Sequence, residues 1–424
     1  VRGGASLELL SPARTPEKLR FAAAYGADAV YAGAPGFSLR GGAETFSLED
    51  LDSSIQRLHA QGKRLYLAAN MVFHDEDLGP FREFLAQAAP LGFDGLILSD
   101  LGMVDEVRNR YPDVAVHIST QANTTNASTA KFYQRLGVKR IVLARELNLG
   151  EIRKIRDAVD LELEAFVHGA MCISYSGRCL LSNYFSNPVG GGSGNRDANR
   201  GGCTQVCRWE FALTEKKRPG VYLPVEQDAY GTAILSSKDL NLSAYLGDLI
   251  DAGVTSFKVE GRMRSILYAS LTARVYRHAL DRAREGLAPD PAILAGLEVF
   301  HHREYTTGFY YQDERFTNTD GALSADPKKA SYTEHRFLGV VEGVGVGELT
   351  ARAINPIRND GRRLAFVSPG GAGGEVSKFV LLVEGEARTM VRPGETFVLR
   401  ADPVRLEGVE NLSLLIEAKE SVQG

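Results

Sequence analysis

The sequence predicts a (β/α)8 TIM-like barrel with one long insertion, followed by a small C-terminal β-barrel domain. Three observations carry this. Eight short β-branched or aliphatic runs recur between residues 7 and 261, and all but one lead quickly into an amphipathic helical pattern. Near-continuous apolar strands alternating with helices define a parallel sheet, and eight is the number that closes a barrel. Beyond Gly286 the rhythm changes to short strands broken by Gly and Pro, the pattern of a small β-barrel. An open doubly wound sheet is the alternative. No Gly-x-Gly-x-x-Gly follows the first strand, which removes the commonest reason to prefer a dinucleotide fold.

The elements follow in order. "LELLS" (Leu7–Ser11) precedes "TPEKLRFAAAYG", which carries Pro16 at the helix start and Gly26 at its end. "DAVYAG" is the second strand, and a helix is expected from Ser47 to His59. "RLYLAAN" (Arg64–Asn70), "GLILSD" (Gly95–Asp100), "AVHIST" (Ala115–Thr120) and "RIVLAR" (Arg140–Arg145) continue the series. "LELEAFVHG" (Leu161–Gly169) and "SFKVEG" (Ser256–Gly261) complete it, and "RSILYASLTARVYRHALDRAREG" supplies the last helix.

The seventh unit breaks the rhythm. Roughly 70 residues separate His168 from a helix expected to start near Asn241, and an insertion of that length inside a compact domain is usually functional. It leaves the carboxyl end of a strand, the face on which barrel enzymes keep their chemistry. It also carries "GGGSG" (Gly190–Gly194), a stretch free enough to bring distant ligands together. The expected organisation is therefore a barrel over 1–290 with the insertion at about 169–240, a connector over 291–330 containing "HHREYTTGFYY", and a β domain over 331–424.

No apolar run approaches the roughly 18 residues needed to span a bilayer, and no secretory pattern opens the chain. A cytoplasmic protein with no membrane partner is expected. The net charge of −4 is no signature of a nucleic-acid binder. Locally, Arg178 to Arg218 holds seven basic and three acidic residues, an anion-binding surface or a solvated loop. Residues 331–424 hold 11 basic and 13 acidic residues, so electrostatics does not favour RNA binding there.

All four cysteines, Cys172, Cys179, Cys203 and Cys207, lie in the insertion with the spacing Cys-x6-Cys-x23-Cys-x3-Cys. In a reducing compartment, clustered thiols point to metal ligands or redox groups before disulfides. Structural zinc sites pair ligands as Cys-x2–4-Cys, which fits the second pair and not the first. An iron–sulfur cluster also takes four thiolates and tolerates irregular spacing. Spacing favours the cluster, with zinc next and unliganded thiols or disulfides behind it.

"EAFVHGAMCISYSGRCLLS" (Glu164–Ser182), then "NRDANRGGCTQVCRW", "SSKDLNL" and "LIDAGVTSFKVEGRMRS", together with the opening "ELLSPA", resemble in the right order the blocks of the peptidase U-thirty-two family, also called collagenase-like proteases. The resemblance covers nearly the whole chain. With one appended β domain, the chain looks like the family's branch of prephenate-dependent tRNA hydroxylation proteins. That branch implies 5-hydroxyuridine formed at the tRNA wobble position, in the anticodon loop, with prephenate as hydroxyl donor. It also implies a [4Fe–4S] cluster held by Cys172, Cys179, Cys203 and Cys207. Sister branches imply hydroxylation of a ribosomal RNA cytidine or of a quinone precursor.

The peptidase name meets a physical objection. The chain has no His-Glu-x-x-His, and "HHRE" is no substitute. "GGSGN" lies in a Gly-rich loop rather than at a strand-to-helix elbow. Cluster ligation would also consume the thiolate nearest His168. Strand-end residues expected at the barrel mouth are Asn70, Asp100, Ser119–Asn123, Arg145, Glu146, His168, Lys258, Glu260 and Arg262. Of these and their neighbours, His168, Glu164, Lys258 and Glu260 are the candidate catalytic groups, with only one of Lys258 and Glu260 expected to point inward. A dicarboxylate needs bidentate guanidinium partners, for which Arg145, Arg178, Arg200 and Arg262 are the candidates. Tyr175, Tyr184, Phe185 and Trp209 are candidates to stack an unpaired base.

Overall fold

The structure, a computed structural model, describes residues 6–39, 46–172, 174–186, 196–208, 227–228, 231–232, 238–311, 336–371 and 373–418. Trp209, the Gly190–Gly194 stretch, Lys216, Lys217, Arg218 and the side chains of Tyr184 and Arg208 lie outside the described residues.

Eight parallel strands close the barrel: β1 (Glu8–Pro12), β2 (Ala29–Gly33), β3 (Arg64–Ala69), β4 (Gly95–Leu98), β5 (Val116–Ile118), β6 (Arg140–Val142), β7 (Glu162–Ala170) and the strand Ser256–Val259. The last of these pairs with both β7 and β1, which completes the circle. The outer ring begins with α1 (Pro16–Ala24), where Thr15 caps the N-terminus and Pro16 takes the first turn. Next comes α2 (Leu48–His59), started by a Ser47–Asp50 capping box. It continues through α3 (Asp75–Ala88), α4 (Leu101–Arg110), α5 (Ala127–Arg135) and α6 (Leu149–Ala158), and a short α7 (Leu181–Ser186) follows in the insertion. Leu9, Leu65, Leu67, Leu96 and Ile118 are fully buried on the helix-facing side of the strands, each contributing about 1.5–3 kcal/mol through burial.

The seventh unit differs from the expected pattern. Residues 239–241 form β8 (Asp239–Asn241), antiparallel to β7, and the helix α8 spans Leu246–Asp251 instead of starting near Asn241. Asp239 is anchored by Arg303 at 2.6 Å, and Leu240 and Leu242 are buried, so this stretch is extended. The eighth barrel strand, Ser256–Val259, is therefore β9. It leads to α9 (Ile266–Arg284), and β10 (Tyr305–Thr306) then pairs in parallel with β8.

The C-terminal residues form an eight-stranded antiparallel sheet curled over its own core. Its spatial order is Glu375–Val376, Leu364–Val367, Leu414–Glu417, Phe337–Gly345, Glu348–Ala353, Thr396–Ala401, Phe379–Val383 and Glu386–Arg388. This domain docks on the barrel's flank. The Tyr25 hydroxyl donates to the carbonyls of Val367 (2.6 Å) and Leu412 (3.0 Å), Arg352 pairs with Glu17, and Arg274 donates to Gly371. Among the described residues no helix is long and apolar enough to cross a membrane.

The barrel interior is polar toward the amino ends of its strands. Arg140 reaches Glu8 (2.6 Å), Glu164 (2.9 Å) and Ser256 (3.2 Å), and Tyr66 donates to Glu8 at 2.6 Å. His117 packs edge-on against Tyr66 in the space left by the missing side chain of Gly95. Buried charges persist only when paired. Burial works against the Arg140 charge, and Glu8 and Glu164 outweigh it, so the guanidinium is held well above its usual range. This layer is a packed floor beneath the barrel mouth.

Candidate active site at the barrel mouth

The carboxyl ends of the strands open onto a cavity of about 160 Å3. Its barrel wall is built from Tyr31, Asn70, Ile97, Ser119, Phe166, Lys258 and Glu260. These inward positions follow from the two-residue period of a strand. Lys258 and Glu260 lie two apart and both line the cavity, so the expectation that only one could point inward is corrected.

The wall facing the barrel comes from the insertion, and all four cysteines are on it. Their backbone reverses sharply through left-handed residues: Ser176 (φ 43°) and Gly177 (φ 81°) before Cys179, and Gln205 (φ 58°) between Cys203 and Cys207. A Cβ at Gly177 would lie 2.7 Å from Gln121 Nε2, so both conformation and space call for glycine there. Short bonds tie the two cysteine segments together. Ser182 Oγ and Thr204 Oγ1 are 2.7 Å apart, and Asn199 donates to the Cys179 carbonyl at 3.0 Å. The thiols are not paired as disulfides. Among the described residues no three Cys, His, Asp or Glu side chains converge on a point that would hold one metal ion. The donor set is four soft thiols lining one cavity, the ligand chemistry that would hold an iron–sulfur group or zinc.

Charge is concentrated in the same space. Arg145, Lys258, Arg262 and Arg303 line the cavity with Glu260 as the one carboxylate among its described residues. Arg145 lies over the Phe166 ring at 3.8 Å and donates to the Ala170 carbonyl at 2.9 Å, while its Nε has no partner. Arg262 donates to Ser38 Oγ at 2.6 Å and to the Leu39 carbonyl. Lys258 Nζ lies 2.6 Å from Glu164 and 4.4 Å over the Tyr31 ring. Burial pushes the Lys258 ammonium below its usual range; Glu164 pulls it back, and Arg140 and Arg262 push it further down.

Several expected mouth residues lie elsewhere. His168 is 2% exposed and packs among Tyr268, Tyr276 and Phe300. The cause is an irregularity in the β7–β9 register: Phe166 pairs with Lys258, while the next pair joins His168 to Val259. The extra residue, Val167, turns His168 out of the barrel. Burial holds its imidazole down to about 3, so it is neutral. Glu164 lies in the floor beneath Lys258. Neither Arg178 nor Arg200 lines the cavity. Arg178 clamps the Gln121 carbonyl at 2.7 Å, and Arg200 pairs with Asp77 at 2.6 Å; both fasten the insertion to the barrel. Asp100 caps α4, and Glu146 accepts from Ser176 N at 2.5 Å and Oγ at 2.6 Å. Tyr175 is 53% exposed, free to meet a planar partner, and Phe185 is half-buried.

Sequence reasoning missed Arg303, Tyr31 and Phe166. Tyr31 and Phe166 read as apolar strand residues. Arg303 arrives from the connector and is held by Asp239. Burial opposes ionisation of Asp239, but Arg303 and Arg264 outweigh it and keep the carboxyl below its usual range.

Fold and cavity together define a (β/α)8-barrel protein whose mouth is roofed by a thiol-bearing insertion. The chain belongs to peptidase family U32, whose profile matches residues 14–320. It is 37% identical over 434 residues to the tRNA hydroxylation protein P of Escherichia coli, an alignment covering 92% of each chain. It is 39% identical to the 23S rRNA 5-hydroxycytidine C2501 synthase of the same organism, over 65% of this chain and 39% of that one. It is 33% identical to a protein named collagenase from Porphyromonas gingivalis, over 72% of this chain and 73% of that one.

Proposed function

We propose that this protein is an RNA hydroxylase that forms 5-hydroxyuridine at the tRNA wobble position, with prephenate as hydroxyl donor and a [4Fe–4S] cluster on Cys172, Cys179, Cys203 and Cys207. One observation carries the reading: every thiol of the chain shares a single cavity with three guanidiniums and one ammonium. Of the three relatives above, the tRNA hydroxylation protein is the one matched over 92% of both chains.

When bound, the cluster supplies a redox-active, Lewis-acidic centre at the cavity wall. The protein's own groups do the rest. Arg145, with a free Nε, and Arg262 suit the two carboxylates of the donor. Ser119 and Gln121 offer hydrogen bonds beside them. Exposed Tyr175, next to the cavity-lining Ser176, offers a face for an unstacked base, which an anticodon loop already presents. Proteolysis fits less well: no histidine lines the cavity among the described residues, so a nucleophile there lacks its usual base.

The test compares tRNA nucleosides from deletion, complemented and Cys203→Ala strains, with and without a block in prephenate synthesis. Loss of 5-hydroxyuridine-type nucleosides in the deletion, the mutant and the blocked strain is expected. Unchanged tRNA in all of them would reject the reading, and a missing ribosomal RNA or quinone hydroxylation would redirect it.

A further inference from the structure

Lys258 is the one lysine among the described residues that line the cavity. Its surroundings differ from those of a lysine that merely closes a salt bridge. Nζ lies over two rings, Tyr31 at 4.4 Å and Phe166 at 5.5 Å, and the residue is almost wholly buried. The same two rings carry the neighbouring guanidiniums: Arg145 over Phe166 at 3.8 Å and Arg262 over Tyr31 at 5.7 Å. One amine thus stands between two carboxylate-binding groups. Glu164 touches it from below at 2.6 Å, placed to take a proton.

Desolvation and adjacent cations are the two conditions that make a lysine amine nucleophilic toward carbonyls. Both are met here, and burial with the nearby arginines pulls the ammonium down. A ligand that uses both the amine and a guanidinium carries a carbonyl next to a carboxylate. We propose that Lys258 forms a Schiff base with the keto carbon of a 2-oxo acid, whose carboxylate is held by Arg145 or Arg262. This deepens the reading above, whose donor is itself a 2-oxo acid, but the chemistry is read from the cavity.

The step balances without an oxidant or reductant. Glu164 takes a proton from the Lys258 ammonium, and the free amine adds to the keto carbon as the C–N bond forms. The carbonyl oxygen gains a proton from the nitrogen and leaves as water with the proton returned by Glu164. An iminium remains, and Glu164 is ionised again. That bond anchors the acid and acidifies the carbon next to the iminium.

The full-length protein, prepared without oxygen, should be incubated with pyruvate, phenylpyruvate or prephenate and treated with cyanoborohydride. Peptide mass spectrometry should find a gain equal to the acid's mass less one oxygen, on Lys258 in large excess over other lysines. The 2-hydroxy acid lactate should give none, and Lys258→Arg should lose the adduct. Mapping on the unsubstituted protein keeps the test valid if that variant folds poorly. Labelling spread evenly over surface lysines, or no adduct although the acid binds by calorimetry, would overturn the proposal. The tRNA reading is judged separately by nucleoside analysis, so the two can fail independently.

Discussion

Glu8 receives four hydrogen bonds inside the barrel, from Arg140 and Tyr66 at 2.6 Å, Arg64 at 2.7 Å and Ser256 at 2.9 Å. Burial alone would raise its pKa, but Arg140 leads the groups that outweigh burial, and the carboxyl is held below its ordinary 4.5. A depressed folded pKa adds stability that is complete above the unfolded value and lost as pH falls through the folded one. Denaturant midpoints should therefore drop as pH falls below that ordinary value, and more gently in Glu8→Gln. Parallel curves would contradict this. Replacing Arg140 with Met removes the cation that two buried carboxylates share, leaving Glu8 to Arg64 and Glu164 to Lys258, and should lower stability by about 3–5 kcal/mol at neutral pH.

At the scale of elements, the insertion brings chemistry to a mouth that the strands only outline. Its two cysteine segments are cross-tied by Ser182, Thr204 and Asn199, so loss of one thiol should undo the bound group without unfolding the barrel. Protein prepared without oxygen is expected to be brown, with about four irons and four sulfides per chain, and Cys203→Ala should be colourless with an unchanged circular dichroism spectrum. Stoichiometric zinc in colourless wild-type protein would refute the cluster. All eight barrel strands were legible because a strand covered on both faces reads as an apolar run. The cysteines were legible because the chain has no others. His168 was misplaced because "LELEAFVHG" gives no sign of the extra residue in β7, and one such residue reverses every later side chain. Arg178 and Arg200 stand outside the cavity lining; in sequence, a guanidinium that fastens a loop to a carbonyl or an acid looks like one that awaits a ligand. Arg303 could not be assigned because its position depends on Asp239, which lies 64 residues away along the chain.

Across the whole molecule, the C-terminal domain leans on α1 and α9 rather than on the mouth, through Tyr25, Glu17 and Arg274. Among the described residues, the insertion and Arg303 of the connector line the cavity beside the strand ends. Beneath it, the ion-paired layer of Glu8, Arg140 and Glu164 closes the far end. Among the described residues the cavity has this floor below and the cysteine-bearing insertion above. If a small acid reaches Lys258 past the cysteines, a nucleic acid resting on the rim would shut that path. On the proposed reaction, order of arrival would then follow from the architecture: the small acid first, the macromolecule second, departures in reverse. Initial-rate kinetics on the proposed reaction should show it as inhibition by excess tRNA that is relieved by raising prephenate. Random-order kinetics without such inhibition would mean that the bound RNA leaves a passage open.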